Sequence, residues 1–204
     1  MKKQHSNPSV EDLRLALTAA VERFNESTDR EELLCPLHED ANPKSHQWSA
    51  ASERSIAHRL AFHLEHELSR AGLITKDIPI VVDCEYNRHL GARKACKAKV
   101  DLENIVKEAG RKPSLSDEDG WFVFSVAPDI AVHKRRSDDF NLLVIELKKA
   151  SNNESPKYDD LKLELFTKQE EAGYGYKLGV SVVARDDLEP AKRLLEIKKE
   201  YPAV

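Results

Sequence analysis

The segment PDIAVHKRRSDDFNLLVIELKK, residues 128–149, constrains the fold more than any other part of the chain. It consists of two apolar runs of strand length, separated by a charged polar stretch that predicts a turn. Both runs nevertheless carry charged side chains, Asp129 on the first and Glu146 and Lys148 on the second. Buried strands rarely keep charges unless these are paired or bind an ion. The segment therefore predicts a β-hairpin that carries a site.

The predicted hairpin places its two acids directly opposite each other. A turn centred within residues 136–139 pairs Asp129 with Glu146 across the two strands. Opposite side chains on one face of an antiparallel pair have Cβ atoms about 4.5–5.5 Å apart. Lys148 lies two residues beyond Glu146 and therefore on the same face. Pro128 lacks an N–H group, which predicts a break in the strand ladder just before Asp129.

Two neighbouring carboxylates repel each other, and without a partner one of them must hold a proton. A divalent cation relieves this repulsion, and hard oxygen ligands of this kind suit Mg²⁺ or Mn²⁺. A lysine beside such a site can orient or deprotonate an attacking water, or stabilise charge on a phosphate oxygen. The structural alternative is a salt-bridge cluster of Asp129, Glu146 and Lys148 at the end of a sheet.

The rest of the chain predicts an α/β domain with a central mixed β-sheet flanked by helices. Apolar periodicity predicts helices at residues 10–24, 30–34, 52–70, 158–172 and 188–199, a weak helix at 100–109, and strands at 78–85, 121–126, 130–133, 141–149 and 176–183. Residues 1–48 are predicted to form an N-terminal helical appendage. Residues 49–204 are predicted to form the main domain, with an insert at residues 88–113 that is basic in its first part.

Composition narrows the class of protein only broadly. The longest apolar runs, such as residues 142–147, are too short to span a membrane, and the N-terminus lacks the apolar stretch of a secretory signal. Three cysteines without a framework spacing, Cys35, Cys84 and Cys96, favour a reducing cytoplasm. The net charge of −4 neither supports nor excludes binding to nucleic acid.

Pro128-Asp129 followed by Glu146-Leu147-Lys148 resembles the signature of the PD-(D/E)xK nuclease superfamily, which has the restriction-endonuclease-like fold. The order of elements is also similar: an apolar strand before the Asp, a hairpin, the E-x-K strand, then a helix and a further strand. The stretches at residues 82–88 and 128–149 look like a group of bacterial restriction-endonuclease-like proteins of unassigned role. The resemblance covers roughly residues 52–184 and excludes residues 1–48.

The resemblance implies a restriction-endonuclease-like domain over residues 49–204 and a role for each signature residue. Asp129 and Glu146 would bind one or two divalent metal ions, and Lys148 would assist the attacking water. The backbone carbonyl of Leu147 would be a further ligand. An acid on the first core helix often joins this set, and Glu53 is the candidate; its structural alternative is a helix N-terminal residue favoured by the helix dipole.

Further residues are candidates of lower specificity. Glu85, at the end of the strand at residues 78–85, is an additional acid that could face the site, against the alternative of a solvent-facing strand end. A basic set could contact the DNA backbone and add affinity that depends on salt but not on sequence; its members are Arg88, Arg93, Lys94, Lys97, Lys99, Lys134, Arg135 and Arg136. Such charge runs commonly only solvate a surface. Lys162, on the helix after the E-x-K strand, could face the scissile phosphate, but it is rather expected at the surface.

Together these observations predict a Mg²⁺- or Mn²⁺-dependent nuclease that hydrolyses phosphodiester bonds in DNA. Cutting both strands of a duplex requires two sites, which favours a homodimer. The alternative from another class is a non-catalytic nuclease-like module that binds nucleic acid or a partner protein, because a fold does not fix a function. A small-molecule hydrolase that uses the same metal is a third interpretation.

Overall fold

A computed structural model describes residues 7–35, 50–75, 79–90, 92–115, 120–152, 155–169 and 173–203. Within these ranges the helices are α1 (Val10–Glu26), α2 (Thr28–Leu34), α3 (Glu53–Arg70), α4 (Glu103–Glu108) and α5 (Lys157–Thr167). The strands are β1 (Ile80–Cys84), β2 (Arg88–His89), β3 (Ala92–Arg93), β4 (Ala95–Lys99), β5 (Ser114–Leu115), β6 (Trp121–Ser125), β7 (Ile130–Lys134), β8 (Asn141–Lys149), β9 (Leu178–Ala184) and β10 (Leu195–Pro202). No described helix is long and apolar enough to cross a membrane.

The centre of the fold is a mixed five-stranded sheet in the order β1-β7-β8-β9-β10. Its neighbours are antiparallel except β8 and β9, which run parallel. A parallel pair needs a crossover connection, and α5 provides it. The predicted α/β class with a mixed sheet flanked by helices is thus confirmed at this level.

The register predicted for the hairpin of β7 and β8 is found at the open end of the hairpin, next to Asp129 and Glu146. Ile130 pairs with Ile145 and Val132 with Leu143, so the same register continued by one residue sets Asp129 opposite Glu146. Toward the turn the register shifts between Val132 and His133, which is a β-bulge. The shift lies away from the acids and leaves their pairing unchanged.

The two faces of the sheet are covered by different layers. The apolar residues of β7 and β8 alternate between them: Leu143, Ile145 and Leu147 join the core beneath α1 and α3. Val144 joins a second core built from α5 and the small sheet β4-β6-β5. Glu146 follows the period of Val144, so it points toward α5 rather than into the core beneath α1 and α3.

The segment predicted as an N-terminal appendage contributes to this first core. Ser9 caps α1, and Ser9 and Asp12 form a reciprocal capping box that fixes the start of the helix. Leu13, Leu17 and Phe24 of α1 are fully buried in the same cluster as the residues of α3 and the main sheet. Within the described part of the chain, α1 is therefore an integral layer of the domain, and a boundary at residue 48 does not divide the core.

The insert at residues 88–113 is likewise packed into the domain. It contains the ribbon of β2 and β3, strand β4, one turn of 3₁₀ helix and α4. Strand β4 pairs with β6, and Cys96 and Ala98 are buried against α5 in the second core. This insert therefore forms part of the layer that covers the face carrying Glu146.

The helix predicted at residues 188–199 is wrong. Apart from one 3₁₀ turn at Pro190–Lys192, the segment forms β10, which pairs antiparallel with β9 at the edge of the sheet. Its abundant Lys and Glu favour a helix locally, but Leu195 and Ile197 alternate with exposed residues and pack on the first core. Pairing with β9 and burial of these side chains outweigh the local preference.

Candidate active site

The cleft beside β7 and β8 brings together the two acids of the predicted signature. It has a volume of about 530 Å³ and is lined by Glu53, Asp129, Glu146, Leu147 and Lys148, among others. Asp129 lies at the entry to β7, where the Oδ2 atom accepts a hydrogen bond from the Leu147 backbone N–H at 2.7 Å. Buried Pro128 precedes it, outside the ladder of paired residues.

Glu146 is the most enclosed charged residue of the cleft, with a side chain 3% exposed. Its Oε2 atom accepts a hydrogen bond from Lys162 Nζ at 2.5 Å. Its Oε1 atom is buried and has no hydrogen-bond partner. A buried acceptor without a partner is costly, and a ligand, an ion or a bound water would satisfy it.

Burial dominates the protonation of both acids. Burial raises the pKa of Glu146 well above its ordinary value, against the attraction of Lys162, and the neighbouring Asp129 raises it further. Burial also raises the pKa of Asp129, while Lys162 and the Leu147 N–H act in the opposite direction. This is the electrostatic signature of two carboxylates that lack sufficient positive charge.

Lys162 is the buried cation of the site. Burial opposes its charge, but Glu146, Asp159 and Asp129 outweigh that effect and raise its pKa. Its Nζ atom also lies 3.0 Å from Asp159 Oδ1, one turn earlier on α5. The expectation of a surface lysine is therefore wrong, because α5 turns this face onto the sheet.

Lys148 lines the cleft on the same face as Glu146, as predicted from their spacing. Its side chain is 24% exposed, and its Nζ atom is 3.7 Å from Asp159 Oδ2. Asp159 thus lies between the two lysines and holds both on one side of the cleft. Lys148 remains accessible from solvent, whereas Lys162 does not.

Glu53 occupies the first turn of α3 and reaches the end of β8. Its Oε1 atom accepts hydrogen bonds from the Lys149 backbone N–H at 2.8 Å and from Asn152 Nδ2 at 3.1 Å. Ser52 caps the helix through the Ser55 N–H, which leaves Glu53 to make contacts outside its own helix. Glu53 lines the same cleft as Asp129 and Glu146.

Glu85, the candidate additional acid, lies beside Asp129 through its backbone. Its backbone N–H donates to the Asp129 carbonyl oxygen at 3.1 Å, and its left-handed φ of 50° turns the chain away from the sheet. Its side chain, however, forms an ion pair with Arg54 at 2.8 Å. Glu85, Glu53 and Asp129 line a smaller adjoining cleft of about 350 Å³.

The predicted basic surface divides into three parts. The prediction that Lys94 contacts DNA is wrong, because Lys94 is 2% exposed and donates to the Tyr176 hydroxyl at 2.7 Å. Lys134, Arg135 and Arg136 sit at the hairpin tip, about 20 Å along the strand from Asp129. Arg135 there pairs with Asp83, and Lys134 with Asp139. Arg88 and Lys99 are exposed and Lys97 is partly buried, whereas the side chain of Arg93 lies outside the described part.

Several residues of the cleft were not predicted from the sequence. These are Tyr158, Asp159, Lys157 and Arg111, which line it together with Lys162. A sequence signal existed: Lys162 lies four residues after Tyr158 and three residues after Asp159 on the helix that follows the E-x-K strand. Arg111 comes from the insert, and no local sequence pattern indicates that its guanidinium group lies over the Tyr158 ring.

The described residues include no group of three or more His, Cys, Asp and Glu already arranged to hold a metal ion. Asp129 and Glu146 nonetheless fit a hard divalent cation. Both supply carboxylate oxygens at one cleft, and Glu146 Oε1 is buried without a hydrogen-bond partner. Mg²⁺ commonly binds through one or two carboxylates and keeps several waters.

No protein-family model, no curated protein and no solved structure matches this chain. The geometry of the cleft is therefore the basis for the function proposed below.

Proposed function

We propose that the chain is a metal-dependent nuclease that hydrolyses phosphodiester bonds in DNA, with a site of the PD-(D/E)xK type in a restriction-endonuclease-like domain. The observation that carries the proposal is Glu146, a buried acid with one oxygen unpartnered, beside Asp129 in an open cleft. A divalent cation bound there would satisfy this oxygen, which the ion pair with Lys162 does not.

Asp129 and Glu146 would hold Mg²⁺ or Mn²⁺, with Glu53 and the Leu147 carbonyl as further ligands. The bound ion would offset charge on the scissile phosphate and lower the pKa of a coordinated water. The Leu147 N–H fixes the Asp129 carboxylate through Oδ2, which orients this side chain before any ligand arrives. The Lys149 N–H and Asn152 fix Glu53 in the same way.

Lys148 is the residue that would act on the attacking water or on a phosphate oxygen. It is on the face of Glu146, open to solvent, and held near Asp159. Lys162 would have a different role: it balances part of the negative charge of the acids and keeps Glu146 in one orientation. Arg111 and Lys157, both exposed at the cleft, supply positive charge for the DNA backbone.

One observation favours the non-catalytic alternative. Lys162 lies within hydrogen-bond reach of Glu146, and both Lys162 and Lys148 lie near Asp159, so the cluster already contains internal ion pairs. If these ion pairs are only structural, the cluster would stabilise the domain, and the domain would bind nucleic acid or a partner protein without cutting it. The two functions differ in whether divalent metal and Lys148 matter for cutting DNA.

The test is cleavage of supercoiled, linear and single-stranded DNA with Mg²⁺, Mn²⁺ or EDTA. We expect cutting only with metal, a loss of about 100-fold or more for Lys148→Ala, and no cutting by Asp129→Asn. Lys192→Ala, at an exposed lysine with a side chain 72% accessible, is the matched control and should cut like the wild type. Full activity of Asp129→Asn or Lys148→Ala would refute the catalytic assignment.

A further inference from the structure

The ribbon of β2 and β3 carries two features that folding alone does not explain. The first is Leu90 at its tip, one of three large apolar side chains exposed among the described residues, with 61% of its surface accessible. The second is the charge on and next to it: besides the buried Lys94, residues 86–100 contain Arg88, Arg93, Lys97 and Lys99 and no acid. Arg88 and Arg93 occupy paired positions in the register of the ribbon.

Leu90 is also an unfavourable residue for its backbone conformation. Its φ is 46°, in the left-handed region where two-residue hairpin loops prefer Asn or Gly. A leucine here is strained, and its exposed side chain gains little from packing. An apolar tip on a basic ribbon is explained if the tip becomes buried against an anionic partner.

The base of the ribbon is firmly held, although a two-stranded ribbon this short is marginal alone. The Lys94 N–H donates to the Asn87 carbonyl at 2.7 Å, and the Val126 N–H donates to the Lys94 carbonyl at 3.1 Å. The Lys94 ammonium lies 5.0–5.8 Å from four aromatic ring centres, those of Tyr86, Phe166, Tyr174 and Tyr176. The side chain of Lys94 therefore anchors the ribbon to the domain.

This base adjoins the candidate active site. Val126 is three residues before Asp129, which limits their separation to about 11 Å. On the other arm, Glu85 lies two residues before Asn87 and hydrogen-bonds to the Asp129 carbonyl. A duplex whose phosphate lies at Asp129 would thus pass close to the ribbon.

We propose that the β2–β3 ribbon enters a groove of duplex DNA and inserts Leu90 as an apolar wedge at a base step next to the cleft. The inference rests on the proposed function for the choice of DNA as partner. Apolar side chains that insert between base pairs partly unstack them and bend the duplex. The exposed Arg88 of the ribbon would contact a flanking phosphate and add salt-dependent affinity.

The experiment measures base unstacking separately from cutting. Short duplexes carrying a single 2-aminopurine at successive positions are titrated with protein in Ca²⁺, and fluorescence rises where the base is unstacked. Wild-type protein should raise the fluorescence at one or a few adjacent positions. Leu90→Asn should abolish the rise and weaken binding roughly three- to tenfold, since it loses an apolar contact.

Leu90→Asn separates loss of the wedge from loss of the ribbon. Asn tolerates the left-handed conformation better than Leu, so this variant favours the native backbone of the tip. Leu90→Met keeps an apolar tip and should retain the rise. Leu15→Ala is the matched control, because Leu15 is also 61% exposed but lies on α1 in another layer.

The outcomes distinguish this inference from the proposed function. A fluorescence rise that Leu90→Asn leaves unchanged, or no rise with the wild type on any duplex, overturns the wedge. Cutting with Mg²⁺ in the absence of any rise refutes the wedge and leaves the nuclease standing. A Leu90-dependent rise without cutting under any metal supports the wedge and refutes the nuclease.

Discussion

Lys162 is the buried cation that opposes the effect of burial on the pKa of both acids in the cleft. It is nearly fully buried, with a side chain 9% exposed, and bonds to a carboxylate that is itself buried. Removing one partner of such a pair leaves a buried charge without compensation, which costs far more than the pair contributes. The pair is thus a sensitive probe of whether Glu146 lies where the structure has it.

We expect Lys162→Met to lower the free energy of unfolding by about 3 kcal/mol at pH 7, because Glu146 is then buried without its cation. The loss should be smaller at pH 5. The reason is that Glu146, whose pKa burial raises, can take up a proton that the unfolded chain also begins to bind. Urea unfolding at the two pH values measures both effects.

Adding Glu146→Gln to Lys162→Met should restore most of the lost stability, since neither member of the pair is then charged. Lys157→Met, at an exposed lysine of the same helix, is the control and should change the free energy of unfolding by less than about 0.5 kcal/mol. Equal losses for Lys162→Met and Lys157→Met would mean that the buried pair is absent.

At the scale of elements, a strand is predicted best from the sequence where its local apolar pattern agrees with its pairing in the sheet. The β7–β8 hairpin combines two apolar runs with one polar turn, so its register near Asp129 follows from counting residues. β10 shows the opposite case, because LEIKKEYP contains good helix formers and only its pairing with β9 makes it a strand. Such pairing joins segments that the local pattern cannot relate.

The same limit applies to the site. The spacing of Glu146 and Lys148 indicates a shared face without reference to other elements. The burial of Lys162 and Lys94 depends instead on which layer covers each helix or strand. Lys94 lies in a basic run that predicts a surface, yet aromatic rings from α5, from Tyr86 and from residues 174–176 enclose it.

Lys94, which anchors the ribbon, should make the free energy of unfolding depend on pH. Burial lowers the pKa of Lys94 to about 8 from 10.5, so above pH 8 the folded protein loses a proton that the unfolded chain keeps. The unfolded state then binds more protons, and the free energy of unfolding rises with pH between about 8 and 10.5. The rise attributable to Lys94 is at most about 3 kcal/mol.

Unfolding of the wild type and of Lys94→Met across this range isolates the effect, since Cys96 and the tyrosines titrate in both proteins. The difference in free energy of unfolding should shift in favour of the wild type as the pH rises. Lys97→Met, at the next lysine along the chain, provides the comparison. A flat difference for Lys94→Met would place Lys94 in water rather than among the rings.

At the scale of the whole molecule, one sheet carries two cores, and the candidate site lies on the face covered by α5. The first core joins α1 and α3 to the sheet, and the second joins α5 to the small sheet. The sequence predicts the helices of both layers but not the sharing of a core between α1 and the rest. Periodicity identifies a buried face without identifying what buries it.

Leu17→Ala should therefore destabilise the entire domain, by about 2–5 kcal/mol, because Leu17 is 1% exposed within the first core. Leu15→Ala, two residues earlier on the exposed side of α1, should have almost no effect. Unfolding is followed through the tryptophans, of which Trp121 lies in β6, on the other side of the sheet. An unchanged transition for Leu17→Ala would indicate an appendage that folds apart from the domain.

A metal site at Asp129 and Glu146 is tested by Mn²⁺ binding to the wild type, Asp129→Asn and Glu146→Gln, followed by electron paramagnetic resonance and calorimetry. We predict that the wild type binds Mn²⁺ and that both variants lose this binding while remaining folded. Glu189→Gln, at an acid with 81% of its side chain exposed, should bind like the wild type. No binding by the wild type, or equal binding by all four proteins, would contradict a metal site at Asp129 and Glu146.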